Sequence, residues 1–286
     1  MNSMKGMSRR RLLKNLGALG VLGQREALID LRVAAAEPTG GAEGPRVLAL
    51  IGDRYHNSDY IRVSLNKLFQ ELNLRVDYTI NYDEISGGLL RNYRLLVCLR
   101  DGMIWPNGYL EPNDYDYSRE LENSREWPKE EFQPWITEEQ GKAIRDFVAA
   151  GNGLYALHNS SNISLYSKAF REVMGGAYIG HPPLRPFRVR VVSRNHPITQ
   201  GIEGFTVNDE QHFVTCDRDP KNIILRSENV DGLVYENLGT TSVAGWAQDY
   251  GKGRVVFTAV GHTLHAMWQP EHFKIQKNSV RWLLKI

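Results

Sequence analysis

Apolar residues along the chain come in short runs divided by turn residues, and the runs alternate between two periods. Residues 46–51 (Arg-Val-Leu-Ala-Leu-Ile) are nearly continuous in apolar side chains, the pattern of a strand covered on both faces. After a turn, Ser58 or Asp59 is placed to cap a helix in which Ile61, Leu65, Leu68 and Leu72 form one stripe. Strands are expected at 74–80 and 95–99. A second helical stripe (Ile144, Phe147, Val148) lies within 138–149, followed by a buried strand at 154–157 and helical spacing again over 163–174. The strand–helix–strand rhythm predicts an α/β fold, doubly wound around a mostly parallel sheet with right-handed crossovers. Further on, 187–193 alternates apolar and basic residues like a half-exposed strand. Short strands are expected near 223–226, 232–235 and 242–246, a turn at 250–254, a buried strand at 255–260 and a closing helix at 270–284. No internal repeat is visible.

One stretch breaks the rhythm. Residues 101–136 are rich in Trp, Tyr and Pro, and acids outnumber bases there nine to three. A loop this long is a lid, a binding loop or structural cover, and its aromatics speak against disorder. It is expected as a lid-like insertion in a single domain spanning 46–286.

Charge changes the picture at the amino end. The chain has 35 basic and 33 acidic residues, but residues 1–36 hold seven bases and two acids, leaving 28 and 31 elsewhere, a net of −3. The basic character belongs to a leader, which removes the support for a nucleic-acid partner. Ser8-Arg9-Arg10-Arg11-Leu12-Leu13-Lys14 resembles a twin-arginine export signal, with a Gly-rich apolar segment after it and Ala34-Ala35-Ala36 as a cleavage site. The expectation is a signal peptide over 1–36, a linker at 37–45, a periplasmic destination and the twin-arginine machinery as a partner. A basic amphipathic helix is the other reading of the leader. No run reaches the ~18 apolar residues of a membrane span.

The candidate chemistry gathers at strand ends. His158 follows the strand at 154–157 and precedes helical spacing, the place where open α/β sheets bind ligands; the plainer reading is a polar residue closing a strand. His56 follows the first strand and His262 the last. If those strands are parallel, the three imidazoles meet on one rim, and with Glu210 nearby they form a candidate site for a divalent metal such as zinc. No short zinc-binding spacing is present. Asp209 and Glu210 are candidate general bases beside His158. Tyr55, His181, Trp246 and Arg254 are the candidate substrate-binding side chains. His181 and His212 stand in a second line, each equally readable as a surface residue. No Gly-x-Gly-x-x-Gly follows a strand and there is no phosphate loop, so no nucleotide cofactor is expected.

The order of these motifs resembles the ThuA (trehalose-utilisation-like) family. The matching residues are Leu157-His158, Gly175-Gly176 with His181, Asn195-His196-Pro197-Ile198-Thr199, Asp209-Glu210, and Tyr250-Gly251-Lys252-Gly253-Arg254 through Gly261-His262. The resemblance implies a class I glutamine amidotransferase-like (flavodoxin-like) fold and a role in carbohydrate metabolism, including keto-sugar intermediates. A glutaminase needs a Cys at the strand–helix elbow. Here the elbow reads Leu-His-Asn-Ser-Ser, and neither Cys98 nor Cys216 lies there, so thiolate chemistry is excluded by residue type. Ser160 lacks the small flanking residues of a nucleophile elbow. The expected function is an exported enzyme acting on a glycoside or 3-keto-glycoside by His/Glu acid–base chemistry, with or without the help of a metal, and with a small carbohydrate as partner. The alternative is a non-catalytic carbohydrate-binding or scaffold protein on the same fold.

Overall fold

A computed structural model describes residues 46–106 and 131–286; the expected signal peptide, the linker and the middle of the 101–136 excursion lie outside the described residues. The chain begins with β1 (Arg46–Ile51), whose five last side chains are buried, as its apolar run requires. Helix α1 (Ser58–Glu71) follows. Its cap is Asn57 rather than Ser58 or Asp59: the Asn57 side chain accepts the Asp59 N–H at 2.7 Å. Then come β2 (Arg75–Thr79), a short α2 (Gly87–Leu90) and the fully buried β3 (Leu95–Leu99).

The excursion leaves through β4 (Met103–Ile104) and returns through β5 (Gln133–Pro134), which pair antiparallel and clip its base. Helix α3 (Glu138–Ala149) starts at a capping box made by Thr137 and Gln140. It feeds β6 (Gly153–Leu157), buried along its whole length, then a 3₁₀ helix (His158–Leu165) and α4 (Lys168–Met174). The helical spacing over 163–174 is therefore divided, since Ser167 caps a fresh helix through the Phe170 N–H. The rest comprises β7 (Tyr178–Gly180), β8 (Arg185–Val191), β9 (Phe205–Asp209), β10 (Phe213–Val214), β11 (Ile223–Asn229), β12 (Thr241–Tyr250), β13 (Gly253–Thr258), α5 (Leu264–Met267) and α6 (Pro270–Leu284). The strand expected at 232–235 does not form. That segment is a turn around Gly232 and Gly239, both at positive φ.

The main sheet has nine strands in the order β2-β1-β3-β6-β13-β12-β11-β8-β9. The first five run parallel, and the last four continue antiparallel. Helices α1, α5 and α6 pack together, as do α2, α3 and α4, and the two groups cover the parallel half. That cover explains why β3 and β6 are uniformly apolar while β8 and β9 alternate. None of the described helices is long and apolar enough to cross a membrane.

His272 in α6 lies outside the strand-end rim, fully buried, with Nδ1 donating to the Ala266 carbonyl at 3.1 Å. Burial pushes its pKa down to about 4. The unfolded chain binds this proton near the ordinary histidine pKa of about 6.5. Stability is therefore full above that value and falls as pH drops from 6.5 toward 4, by a limit of about 3 kcal/mol. Urea unfolding at pH 7 and pH 4.5 should show a smaller acid loss for His272→Gln than for wild type; equal losses would contradict the assignment.

Candidate functional site

Five of the eight histidines converge at the carboxyl edge of the parallel strands: His56, His158, His181, His212 and His262. Each arrives by a local device. After β1 the chain turns at Gly52 (φ +82°), where a Cβ would stand 2.7 Å from the Ser58 Cβ. Asp53 then organises the loop. Its Oδ1 accepts the backbone N–H groups of Tyr55 (2.8 Å) and His56 (3.0 Å) and the His56 ring at Nδ1 (2.9 Å). Its Oδ2 accepts the Asp101 N–H (3.0 Å) and the Asn159 amide (2.6 Å). Burial opposes ionisation of Asp53, but His56 and the N–H donors outweigh it and hold the carboxyl below its usual range. With Nδ1 donating to Asp53, His56 turns the Nε2 lone pair into the site.

His158 sits at the strand–helix elbow with φ +49°, a left-handed conformation uncommon outside glycine. Its Nδ1 lies 2.7 Å from the Ala259 carbonyl, which can only accept, so the proton is on Nδ1. Its Nε2 is buried without a hydrogen-bond partner and points at Glu210 Oε2, 3.4 Å away. Burial pushes the His158 pKa down, so the neutral ring sets a lone pair against a carboxylate. His262 Nδ1 stands 3.1 Å from the same Glu210 oxygen and 3.0 Å from His56 Nε2. A single proton there serves only one of them. Burial works against ionisation of Glu210, yet the imidazoles that can turn an N–H toward it, His212 and His262, hold it below the usual carboxylate range.

Lone pairs thus outnumber protons at this point. The ligating atoms of His56, His158, Glu210 and His262 all lie within 4.8 Å of one another, the donor set of zinc and related divalent ions. Asp53 behind His56 and the Ala259 carbonyl behind His158 are the outer partners that orient metal-binding imidazoles. The other two imidazoles approach the same oxygen, His181 Nε2 at 3.6 Å and His212 Nε2 at 3.5 Å, with the His212 ring stacked on His158 at 3.9 Å.

Glu210 and four of the five imidazoles, all but the buried His158, line a hollow of about 510 Å³ together with Tyr55, Asp101, Met103, Asn159, Asn162 and Tyr178. Asp101 is the group that sequence reasoning passed over, counted only as one acid of the excursion. It follows β3 by two residues, at a strand end like the one that drew attention to His158. Burial, and then the Asp53 charge, push its pKa up to about 7. Asp53 and Asn159 were also missed, although a carboxylate three residues before a strand-end histidine was a usable signal.

Not every expected residue arrives. Trp246 is fully buried, its indole donating to the Met174 carbonyl at 2.8 Å and its ring packed on Phe257, so it does not line the hollow. Arg254 lies at the amino end of β13, the opposite edge of the sheet, where it bonds the Trp282 carbonyl (2.6 Å) and Asp249. A cation and an aromatic ring suit a sugar by residue type, but residue type does not tell which end or face of a strand the side chain occupies. Tyr55, 48% exposed, and His181 do line the hollow. Asp209 is buried with its oxygens on the backbone N–H groups of Gly261 (2.7 Å) and His262 (3.1 Å), so Glu210 alone of that pair faces the cavity. Ser160 is buried and lines no part of the hollow, and neither cysteine does.

The sequence profile of the family described as ThuA, trehalose utilisation, matches residues 46–283. No curated protein matches the chain. Among solved structures, a ThuA-like protein from Bacteroides uniformis superposes with a TM-score of 0.57 at 16% identity, covering 86% of this chain and 95% of its own. A ThuA-like protein from Parabacteroides merdae gives 0.58 at 15%, covering 84% and 90%. A cold-adapted β-galactosidase from Rahnella gives 0.50 at 14%, covering 85% of this chain but 31% of the enzyme. At these identities the likeness is one of fold.

Two substitutions separate support from site. Asp209→Asn keeps one acceptor and turns an N–H donor toward a backbone N–H, so it should cost about 1.5–3 kcal/mol and shift the imidazole NMR signals of His262. Trp246→Phe leaves the Met174 carbonyl short of its main donor and should cost about 1–3 kcal/mol with the histidine signals unmoved. Shifted histidine signals in Trp246→Phe would overturn its placement away from the hollow.

Proposed function

This chain belongs to the ThuA family, and from that premise we propose an enzyme that acts on a glycoside or 3-keto-glycoside in the hollow beside the five-histidine cluster. The observation that carries the reading is the meeting of two features in one cavity. Imidazole lone pairs converge on the Glu210 carboxylate, and a carboxyl poised near neutrality, Asp101, faces the same space. His56, His158, Glu210 and His262 are the residues that would hold a divalent ion. Such an ion, when bound, supplies polarisation of a sugar carbonyl or hydroxyl.

The rest is work for the chain's own groups. Asp101 exchanges the proton, since a general base is most effective with its pKa near the working pH. Asp53 keeps the His56 ring in its tautomer, and the Ala259 carbonyl does so for His158. Tyr55 and Tyr178 line the wall with faces suited to a sugar ring. The hollow's volume falls in the range of small-molecule sites. Export through the twin-arginine route is part of the proposal, supported by the Ser8-to-Lys14 motif and tested by fractionating cells that make the full chain.

Asp101 ionises as pH rises through about 7, so kcat/KM for a base-catalysed step should climb to that point and level off. Asp101→Asn should lose about 10²–10⁴-fold in kcat with metal content unchanged, whereas His56→Ala and Glu210→Gln should lose the metal. A panel of glycosides and 3-keto-glycosides with metal-loaded protein checks this. Sugar binding without turnover would favour the non-catalytic reading, and full activity in Asp101→Asn would remove its role.

A further inference from the structure

We propose that Glu210 bridges two divalent-cation sites, the second built by His181 and His212. The inference rests on the metal reading of the first set (His56, His158, His262) and extends it. Its first ground is crowding at one atom. Glu210 Oε2 has imidazole nitrogens at 3.1 Å (His262), 3.4 Å (His158), 3.5 Å (His212) and 3.6 Å (His181). A carboxylate oxygen has two lone pairs, so four ring nitrogens exceed what it accepts by hydrogen bonding.

The second ground is the tautomer of His181. Its Nδ1 lies 2.9 Å from the Pro182 carbonyl and so carries the proton, leaving the Nε2 lone pair toward Glu210, the mismatch already seen at His158. The buried, unpartnered His158 Nε2 points into the same cluster.

The third ground is construction. His181 directly follows β7 and His212 directly precedes β10, and these two strands form a separate antiparallel ribbon in which Phe213 pairs with Gly180. That register sets the two rings nearly parallel, 5.1 Å apart at an interplanar angle of 20°. Gly180 leaves room beside the ribbon for the Tyr235 ring, whose hydroxyl would stand 2.5 Å from a Cβ there. One element of the fold thus delivers two ligands together, independently of the strand ends that deliver the first set. His181, Glu210 and His212 offer ligand atoms within 4.8 Å of one another and share only Glu210 with the first set.

Two histidines and one carboxylate leave coordination positions open, and His181 stands on the wall of the hollow. Carboxylate-bridged ion pairs are typically about 3.5–4 Å apart and clamp two oxygens of one substrate. The ligand chemistry this favours is a pair of neighbouring sugar oxygens, one hydroxyl and one hydroxyl or carbonyl.

The test is titration of metal-free protein with Mn²⁺, followed by calorimetry and electron paramagnetic resonance. Wild type should take two equivalents and show an exchange-coupled spectrum. His181→Ala should take one and show an isolated ion. Because His212 is buried, His212→Gln, which keeps a polar side chain, is measured beside it with circular dichroism to confirm the fold, and it should behave like His181→Ala. One equivalent in wild type, unchanged in both variants, would overturn the bridge while leaving the first site intact. No bound ion in wild type would remove both.

Discussion

The carboxylate of Asp209 joins the two halves of the sheet, and the site depends on that joint. It accepts the N–H groups of Gly261 and His262, just beyond β13. Yet β9, which carries Asp209, is four strands away from β13 in the sheet order. Laid flat, strands about 4.8 Å apart would put the two roughly 19 Å from each other. The antiparallel half must therefore curl back over the strand ends, more than ordinary sheet twist alone implies. Burial raises the Asp209 pKa, and the two backbone donors offset the cost of leaving water. Because neighbouring residues project to different sides of an extended chain, anchoring Asp209 turns Glu210 into the hollow.

The elbow at His158 is the second constraint. A non-glycine residue at positive φ costs about 1–3 kcal/mol and persists here because its ring is tied to the Ala259 carbonyl. Gly261 is constrained by the same elbow through space, since a Cβ there would meet the His158 Cβ at 2.8 Å. The elbow presents an imidazole lone pair, and the Cys98 thiol is buried in β3 with its pKa pushed up to about 12. The chemistry of the rim is that of the side chains placed on the scaffold.

The base of the excursion completes the site. The Trp135 indole donates to the Asp101 carbonyl at 2.6 Å, and the Asn162 side chain accepts the Gly102 N–H at 3.0 Å. These contacts bury the turn that carries Asp101, and burial is the main reason its carboxyl sits near neutrality. An acidic, aromatic segment thus contributes to the hollow at its base, through Asp101 and Met103.

What was legible in the chain follows from local physics. Apolar runs marked β1, β3 and β6, helical stripes marked α1 and α3, and the closing helix matched its expected limits at Pro270–Leu284. The parallel rhythm also placed His56, His158 and His262 on one rim, because strands running the same way end on the same side. The tertiary structure alone decided the rest. Trp246 and Arg254 went elsewhere because burial and strand direction are set by neighbours distant in sequence. Glu210 reached the rim only through the curl of the antiparallel half, and His181 and His212 through a two-stranded ribbon. Asp101 owes its pKa to burial under groups far along the chain. A pattern in one dimension records which face a residue prefers, and not which distant residue will meet it there.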